Sequence, residues 1–276
     1  MIGRISFGLI LSLFIFLAAH FSLQAQFAET IASGRPGNAN GTNSVGRGVY
    51  QAQIGYNFVR TSLNGTDLKD VLADQRDLQG ADGMFRIGLK EDFELRIFTN
   101  AFHKDRRDFA DEASIDQSGF ESLTIGIRQT LTQAEGIRPG FCVQFAVDFG
   151  GIGQYNTESP DPILRLNFSN RISDKLVVNY NLANRWNVDE SNLQGFYILN
   201  LGYALTQKFT ISGEGFGFIR DDGNNINGGI GLAYLLNADI QLDVYGSYGT
   251  NYFNDYQSEQ ALVSLTAGIS YRIVNR

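Results

Sequence analysis

A single cysteine, Cys142, stands in 276 residues. That excludes an internal disulfide framework and any zinc site built on several thiolates. Charge is also sparse. Charged residues make up 18% of the chain and the formal net charge is -7. An acidic balance leaves no electrostatic footprint for nucleic acid, so no nucleic-acid partner is expected. Low charge combined with abundant aromatics argues against a disordered chain. After residue 25 no apolar run is long enough for a transmembrane helix. What the chain does have is 31 Gly, 21 Phe and 12 Tyr. Few helix formers beside so much glycine and aromatic residue predicts an all-β chain. Composition alone leaves open whether that β structure sits in water or in lipid.

The first segment bears on the compartment. Arg4 is followed by an almost wholly apolar stretch over residues 5–19, then by small residues and Leu23-Gln24-Ala25 before Gln26. A basic start, an apolar centre and a small-residue end describe a secretory signal, with cleavage expected after Ala25. Residues 26–47 are rich in Gly, Asn, Ser and Thr and have no periodicity. They read as an N-terminal periplasmic extension.

From Gly48 the pattern turns to period two, which predicts strands. Twelve are expected, at 48–60, 82–90, 93–103, 119–131, 139–149, 162–172, 176–187, 194–205, 208–220, 227–235, 239–250 and 260–273. Most exceed the usual soluble strand of about 5–6 residues and suit a tilted membrane strand of about 9–11. Connections after odd strands are mostly long and those after even strands mostly short. Outer-membrane barrels alternate in this way, with short periplasmic turns and long extracellular loops. Polar turns between apolar ends recur at Leu89-Lys90-Glu91-Asp92-Phe93, Ile172-Ser173-Asp174-Lys175-Leu176 and Leu205-Thr206-Gln207-Lys208-Phe209. The fold expected for residues 48–276 is an up-and-down antiparallel β-barrel of about 12 strands in the outer membrane.

Parity separates a wet face from a greasy one. Phe141, Val143, Phe145 and Val147 oppose Cys142, Gln144, Ala146 and Asp148; Leu164, Leu166 and Phe168 oppose Arg165, Asn167 and Ser169. Arg86, Glu94, Arg96, Arg128, Asp148, Arg165, Arg171, Arg185, Glu214, Asp243 and Arg272 are the residues expected to line the lumen. An Arg on the lipid face at mid-depth would cost about 2–4 kcal/mol, which explains the segregation. In the ninth expected strand Phe216 and Phe218 share parity with Glu214, and Gly213, Gly215 and Gly217 point to a bulge or tight bend. Seven arginines against four acids on the inner parity admit two readings. One is a pore biased toward anionic or polar solutes; the other is a lumen closed by Arg–carboxylate pairs.

The stretch Glu29-Thr30-Ile31-Ala32-Ser33-Gly34-Arg35-Pro36-Gly37, then Val45-Gly46-Arg47-Gly48-Val49-Tyr50-Gln51-Ala52-Gln53-Ile54-Gly55-Tyr56, resembles the start of an outer-membrane family. That family is labelled "putative MetA-pathway of phenol degradation". Phe85-Arg86-Ile87-Gly88-Leu89 and Phe93-Glu94-Leu95-Arg96 are similar to its second hairpin. The chain departs from the pattern at Gly34, where the resemblance leads one to expect an acidic residue. The resemblance implies an outer-membrane barrel with a role in uptake of small aromatic or hydrophobic compounds, and it carries over no catalytic motif.

Past the signal segment, His103 is the one histidine, and it is followed by Lys104, Asp105 and Arg106. No Ser stands at the spacing of outer-membrane phospholipases, so an activated nucleophile has no evident base and no enzyme is expected. No cofactor and no metal are expected. The acidic loops, with Asp67, Asp70, Asp74 and Asp77 in the first and Asp105, Asp108, Asp111, Glu112 and Asp116 in the second, fit no EF-hand spacing and read as solvated surface. The expected partners are outer-membrane lipid and lipopolysaccharide, a small-molecule solute and the barrel-assembly machinery. Nothing in the sequence sets an oligomeric state. The expected function is passive transport of small solutes, and the competing one is a structural or adhesion barrel.

Overall fold

The computed structural model describes residues 30–62, 75–109, 112–152, 157–220, 223–253 and 258–275. The signal segment expected at 1–25 and loop acids such as Asp67, Asp70, Asp74, Asp111, Asp221, Asp222 and Asp255 lie outside the described residues. The strands are β1 Val49–Ser62, β2 Gln75–Gly88, β3 Phe93–Phe109, β4 Glu112–Gly119, β5 Ser122–Thr132, β6 Gly140–Asp148 and β7 Asp161–Arg171. They continue as β8 Leu176–Asn187, β9 Asn192–Ala204, β10 Phe209–Arg220, β11 Gly223–Asn237, β12 Ile240–Phe253 and β13 Ser258–Val274. Among the described residues there is no helix.

Apart from β4 and β5, strands adjacent in sequence pair antiparallel, and β1 pairs with β13 from Val49↔Val274 to Thr61↔Leu262. That last ladder closes the sheet. β3 pairs along its first half with β5 and along its second half with β4. β4 and β5 are thus one barrel strand interrupted at Phe120 and Glu121, and the barrel has twelve strands. Both of its ends lie on the side of the short turns, where Asn275 N–H donates to the Gly48 carbonyl at 3.0 Å. Two of those turns share one device. Ser173 Oγ accepts from the amides of Lys175 and Leu176, and Thr206 Oγ1 accepts from those of Lys208 and Phe209.

The strands on the loop side run further than the periodicity predicts. The connection expected at 61–81 is strand from Gln75, and the one expected at 104–118 is largely the β3–β4 hairpin. Beyond the bilayer a strand needs no apolar face, so its sequence loses the alternation that betrays it.

Side-chain exposure runs opposite to that of a water-soluble protein. Ile54, Tyr56, Leu164, Leu182, Leu199, Leu201, Ile230 and Leu265 are exposed, while Gln53, Glu94, Arg128, Asn167, Asn181 and Ser270 are fully buried. A closed barrel hides whatever points inward, so the polar parity is the lumen and the apolar parity is the lipid belt. Tyr50, Tyr203, Tyr234 and Tyr271 are exposed near the short-turn end, and Trp186 near the loop end, where amphipathic rings sit at membrane interfaces. On the belt, Phe141, Phe168 and Tyr180 stand in register on β6, β7 and β8 and stack at 4.9 and 5.1 Å.

The bulge expected near Gly213, Gly215 and Gly217 is absent. β10 keeps one register against β9 from Thr210↔Ala204 to Ile219↔Gly195. The odd parity has another origin: Phe216 and Phe218 point into the lumen with Glu214. The glycines face lipid, where Tyr197 covers Gly217. The segment expected as a periplasmic extension is also placed differently. Residues 31–46 run inside the barrel, with Ile31, Asn40, Thr42, Ser44 and Val45 buried. The sequence offers no periodicity there because the segment is neither strand nor helix.

Leu199 stands at the middle of β9 on the lipid face. Leu199→Arg is expected to destabilise the folded barrel by about 2–4 kcal/mol, read from urea unfolding in liposomes.

Candidate functional site

Register places the lumen's charges. Arg86 of β2 faces Arg96 of β3, and Glu94 of β3 faces Arg128 of β5. Three guanidiniums therefore surround one carboxylate. Glu94 accepts from Arg86 Nε and Nη2 at 2.9 Å each, and lies 3.6 Å from Arg96 Nε and 3.9 Å from Arg128 Nη1. All four residues are at most 3% exposed. One carboxylate cannot satisfy that many buried donors, and an unpaired buried charge is costly. Arg86 and Arg128 send further donors to the backbone of the N-terminal segment, and Arg96 donates to the Gln144 and Asn40 side chains.

That segment forms a collar around the inner wall. Ser33 meets Ser270 of β13 at 2.8 Å, and the Arg35 carbonyl accepts from Gln241 of β12 at 2.9 Å. Pro36 sits over Gly231 of β11, and the amides of Asn38 and Ala39 donate to Glu214 of β10 at 2.9 Å. Asn40 exchanges two 2.8 Å bonds with the Asn181 side chain of β8. Thr42 N–H donates to Ser169 of β7, and its carbonyl accepts from Thr130 of β5. Val45 N–H donates to Glu94 of β3 at 2.8 Å. The chain then passes Gly88 of β2 and enters β1. The partners follow the order of the strands, so the collar makes about one circuit of the barrel.

Arginines fasten it. Arg86 donates to the Ala32 carbonyl at 2.5 Å and to the Asn43 carbonyl at 3.3 Å, tying the beginning of the circuit to its end. Arg128 donates to the Gly41 carbonyl and Arg165 to that of Asn38. Arg35 reaches outward from the collar to Asp82 of β2 at 2.8 Å and Asp243 of β12 at 3.0 Å. A Cβ at Gly55 or Gly268 would meet the Arg35 guanidinium, and one at Gly231 would meet Pro36. These inward glycines make room for the collar.

The other residues expected in the lumen divide by depth. Asp148 and Arg185 pair at 3.1 Å toward the loop end, with Asp161 2.7 Å from Arg185. Arg165, Glu214 and Asp243 stand at collar level and touch it. Arg272 is buried at the short-turn rim, 2.8 Å from Asp239. Arg171 differs. It is exposed and only 3.6 Å from the still more exposed Asp174 in the adjacent turn, because its strand ends there. Sequence parity puts Asn181 on the inner face but misses Arg35, Asp82, Asp161 and Tyr245. Asp82 has the parity of Arg86 and could have been found. The excess of inner arginines over acids was the one sign that further acceptors were needed.

Above the collar lies a cavity of about 830 Å³. Gly34, Arg35, Gly37, Asn38 and Asn40 form its floor, and its walls rise to Asn100, Ser122, Asp148 and Arg185 near the loop end. The wall mixes polar groups with apolar ones such as Val59, Leu78, Met84, Phe98 and Ile163. On β9 and β10 Phe196 and Phe218 line the cavity beside Tyr245, with Ile198 and Phe216 buried next to them. Glu94→Gln is expected to cost about 3–5 kcal/mol, because it leaves three buried guanidiniums without their carboxylate. It should also expose residues 34–43 to protease in the folded protein. Arg171→Ala should leave both unchanged, as measured by heat-modifiable gel shift and limited proteolysis.

Among solved structures, an outer membrane channel from Pseudomonas putida F1 is similar, with a TM-score of 0.63 and 14% identity over 87% of this chain and 99% of that one. The NanC porin has a TM-score of 0.51 at 9% identity, covering 80% of this chain and 98% of that one. The CymD monoaromatic hydrocarbon channel has a TM-score of 0.51 at 8% identity, covering 83% and 90%. At these identities the likeness is one of fold. No curated protein sequence matches the chain. The family model described as "Putative MetA-pathway of phenol degradation" matches residues 33–267, a span that starts inside the collar and runs through nearly the whole barrel. The chain belongs to that family.

Proposed function

We propose that the protein is a passive outer-membrane channel for small solutes, with the cavity as its outer vestibule and the collar as its constriction. The observation that carries this reading is the cavity itself, walled by the strands and floored by residues 34–40 rather than by strand side chains. A floor held by hydrogen bonds from arginines and amides limits the bore without filling the barrel. The luminal arginines divide between pairing with carboxylates and holding the collar. Arg86, Arg185 and Arg272 pair with Glu94, Asp148 and Asp239, while Arg86, Arg128 and Arg165 also hold the collar backbone.

Three similar structures, described as an outer membrane channel, a porin and a monoaromatic hydrocarbon channel, support the reading by fold. The function is non-catalytic. Cys142, the single thiol, is buried and receives Arg128 Nε at 2.9 Å, so it serves packing. The apolar belt meets outer-membrane lipid and lipopolysaccharide, and insertion falls to the barrel-assembly machinery.

Reconstitution in planar bilayers tests this. The wild-type protein is expected to give small, steady conductance steps, and deletion of residues 36–41 is expected to enlarge them severalfold. Absence of conductance and of solute uptake into liposomes for both proteins, each shown folded by gel shift, would end the channel reading.

A further inference from the structure

The aromatic stretch of the lumen wall is not scattered. Register aligns Gln144, Arg165, Ala183, Phe196 and Phe218 in one inward row across β6, β7, β8, β9 and β10. Ala183, the smallest of the five, separates the cation from the rings. The gap lets the Arg165 guanidinium lie over Phe196, 5.8 Å from its centroid. Phe196 and Phe218 stand 4.6 Å apart at 34°, and Phe216 meets Phe196 edge-on at 6.4 Å. Phe196 and Phe218 line the cavity together with Arg165 and Ala183. Phe218 is 36% exposed although it points inward, so its face is open to whatever enters.

Arg165 is electrostatically unlike its neighbours. Arg35, Arg86, Arg96, Arg128, Arg185 and Arg272 each have a carboxylate within 4.0 Å. Among the described residues Arg165 has none. Both of its hydrogen bonds leave from Nη2, to the Asn38 carbonyl at 2.6 Å and to Asn181 Oδ1 at 2.8 Å; its Nε is buried without a partner, and among the described residues Nη1 is uncommitted. A cation on a cavity wall, with part of its fork uncommitted and two phenyl rings beside it, matches a ligand with a negative end and a flat apolar body. Arginine takes carboxylates through paired N–H donors, and phenyl faces take aromatic rings by offset stacking.

We propose that Arg165, Ala183, Phe196 and Phe218 form a binding site for an aromatic carboxylate that enters from the loop end. Its carboxylate meets Arg165 and its ring lies over Ala183 against Phe196 and Phe218. This rests on the vestibule reading and names the class of solute that dwells there.

The test is calorimetric titration of the full-length protein in detergent micelles with benzoate, benzyl alcohol and acetate. Benzoate is expected to bind saturably, and the two half-ligands about tenfold or more weakly, since each lacks one recognition element. Phe218→Ala should weaken benzoate roughly threefold to tenfold. Ala183→Leu, which fills the gap, should remove the binding. Neither side chain has a hydrogen bond to the collar, so heat-modifiable gel shift is expected to show both variants folded. Equal binding of benzoate and benzyl alcohol would overturn the site, as would two folded variants that titrate like wild type. Glycerol entry into proteoliposomes separates this idea from the channel itself. Glycerol uptake without saturable benzoate binding sinks the site alone. Benzoate binding without any glycerol uptake keeps the site and sinks the channel.

Discussion

A buried donor must find an acceptor, and that constraint organises this molecule. The membrane demands that charge stay off the outer face, so strand charges accumulate inside. Inside, arginines outnumber acids. Glu94 can serve only part of the group formed by Arg86, Arg96 and Arg128. Backbone carbonyls make good acceptors when a chain lies in the lumen with its amides turned the other way. The collar supplies them at Ala32, Asn38, Gly41 and Asn43, while its amides at Asn38, Ala39 and Val45 are satisfied by Glu214 and Glu94. Wall and collar each satisfy polar groups that the other buries.

The same constraint relates the cavity to the collar. Glu214 receives the amides of Asn38 and Ala39, the Tyr245 hydroxyl and the Asn200 side chain. The acid nearest the aromatic wall is thereby engaged with the collar and its neighbours. Arg165, one strand group away, is held by the Asn38 carbonyl, which is no substitute for a countercharge. A charge imbalance fixed by the collar's geometry thus faces the aromatic stretch of the lumen.

The barrel was legible because a half-lipid strand has a strict period of two and any error would put an arginine in hydrocarbon. Closure, strand number and the inward placement of Glu94, Arg96, Arg128, Asp148 and Asp243 all follow from that. Arg171 was misplaced because parity gives the face and not the height; at the strand end the inner face is already outside. The extra length of β2, β3 and β4 was hidden for the matching reason, since strands in water lose their apolar period. The collar could not be read from residue type, because its bonds run mostly through backbone atoms. The glycines of β10 suggested a bulge, but they are small positions on the lipid side under Tyr197. Inward Gly55, Gly231 and Gly268 were the informative ones, each an empty place sized for a collar residue.

The order of the collar's contacts has a consequence for assembly. Its residues precede β1 in the chain, yet their partners are spread over nearly every strand, from Ser270 on β13 to Glu94 on β3. Those partners stand together only when β13 has joined β1. The earliest part of the described chain is therefore the latest to gain its full set of bonds. Its composition of Gly, Asn, Ser and Thr suits that wait, being small, polar and content in water until the ring of strands exists to receive it.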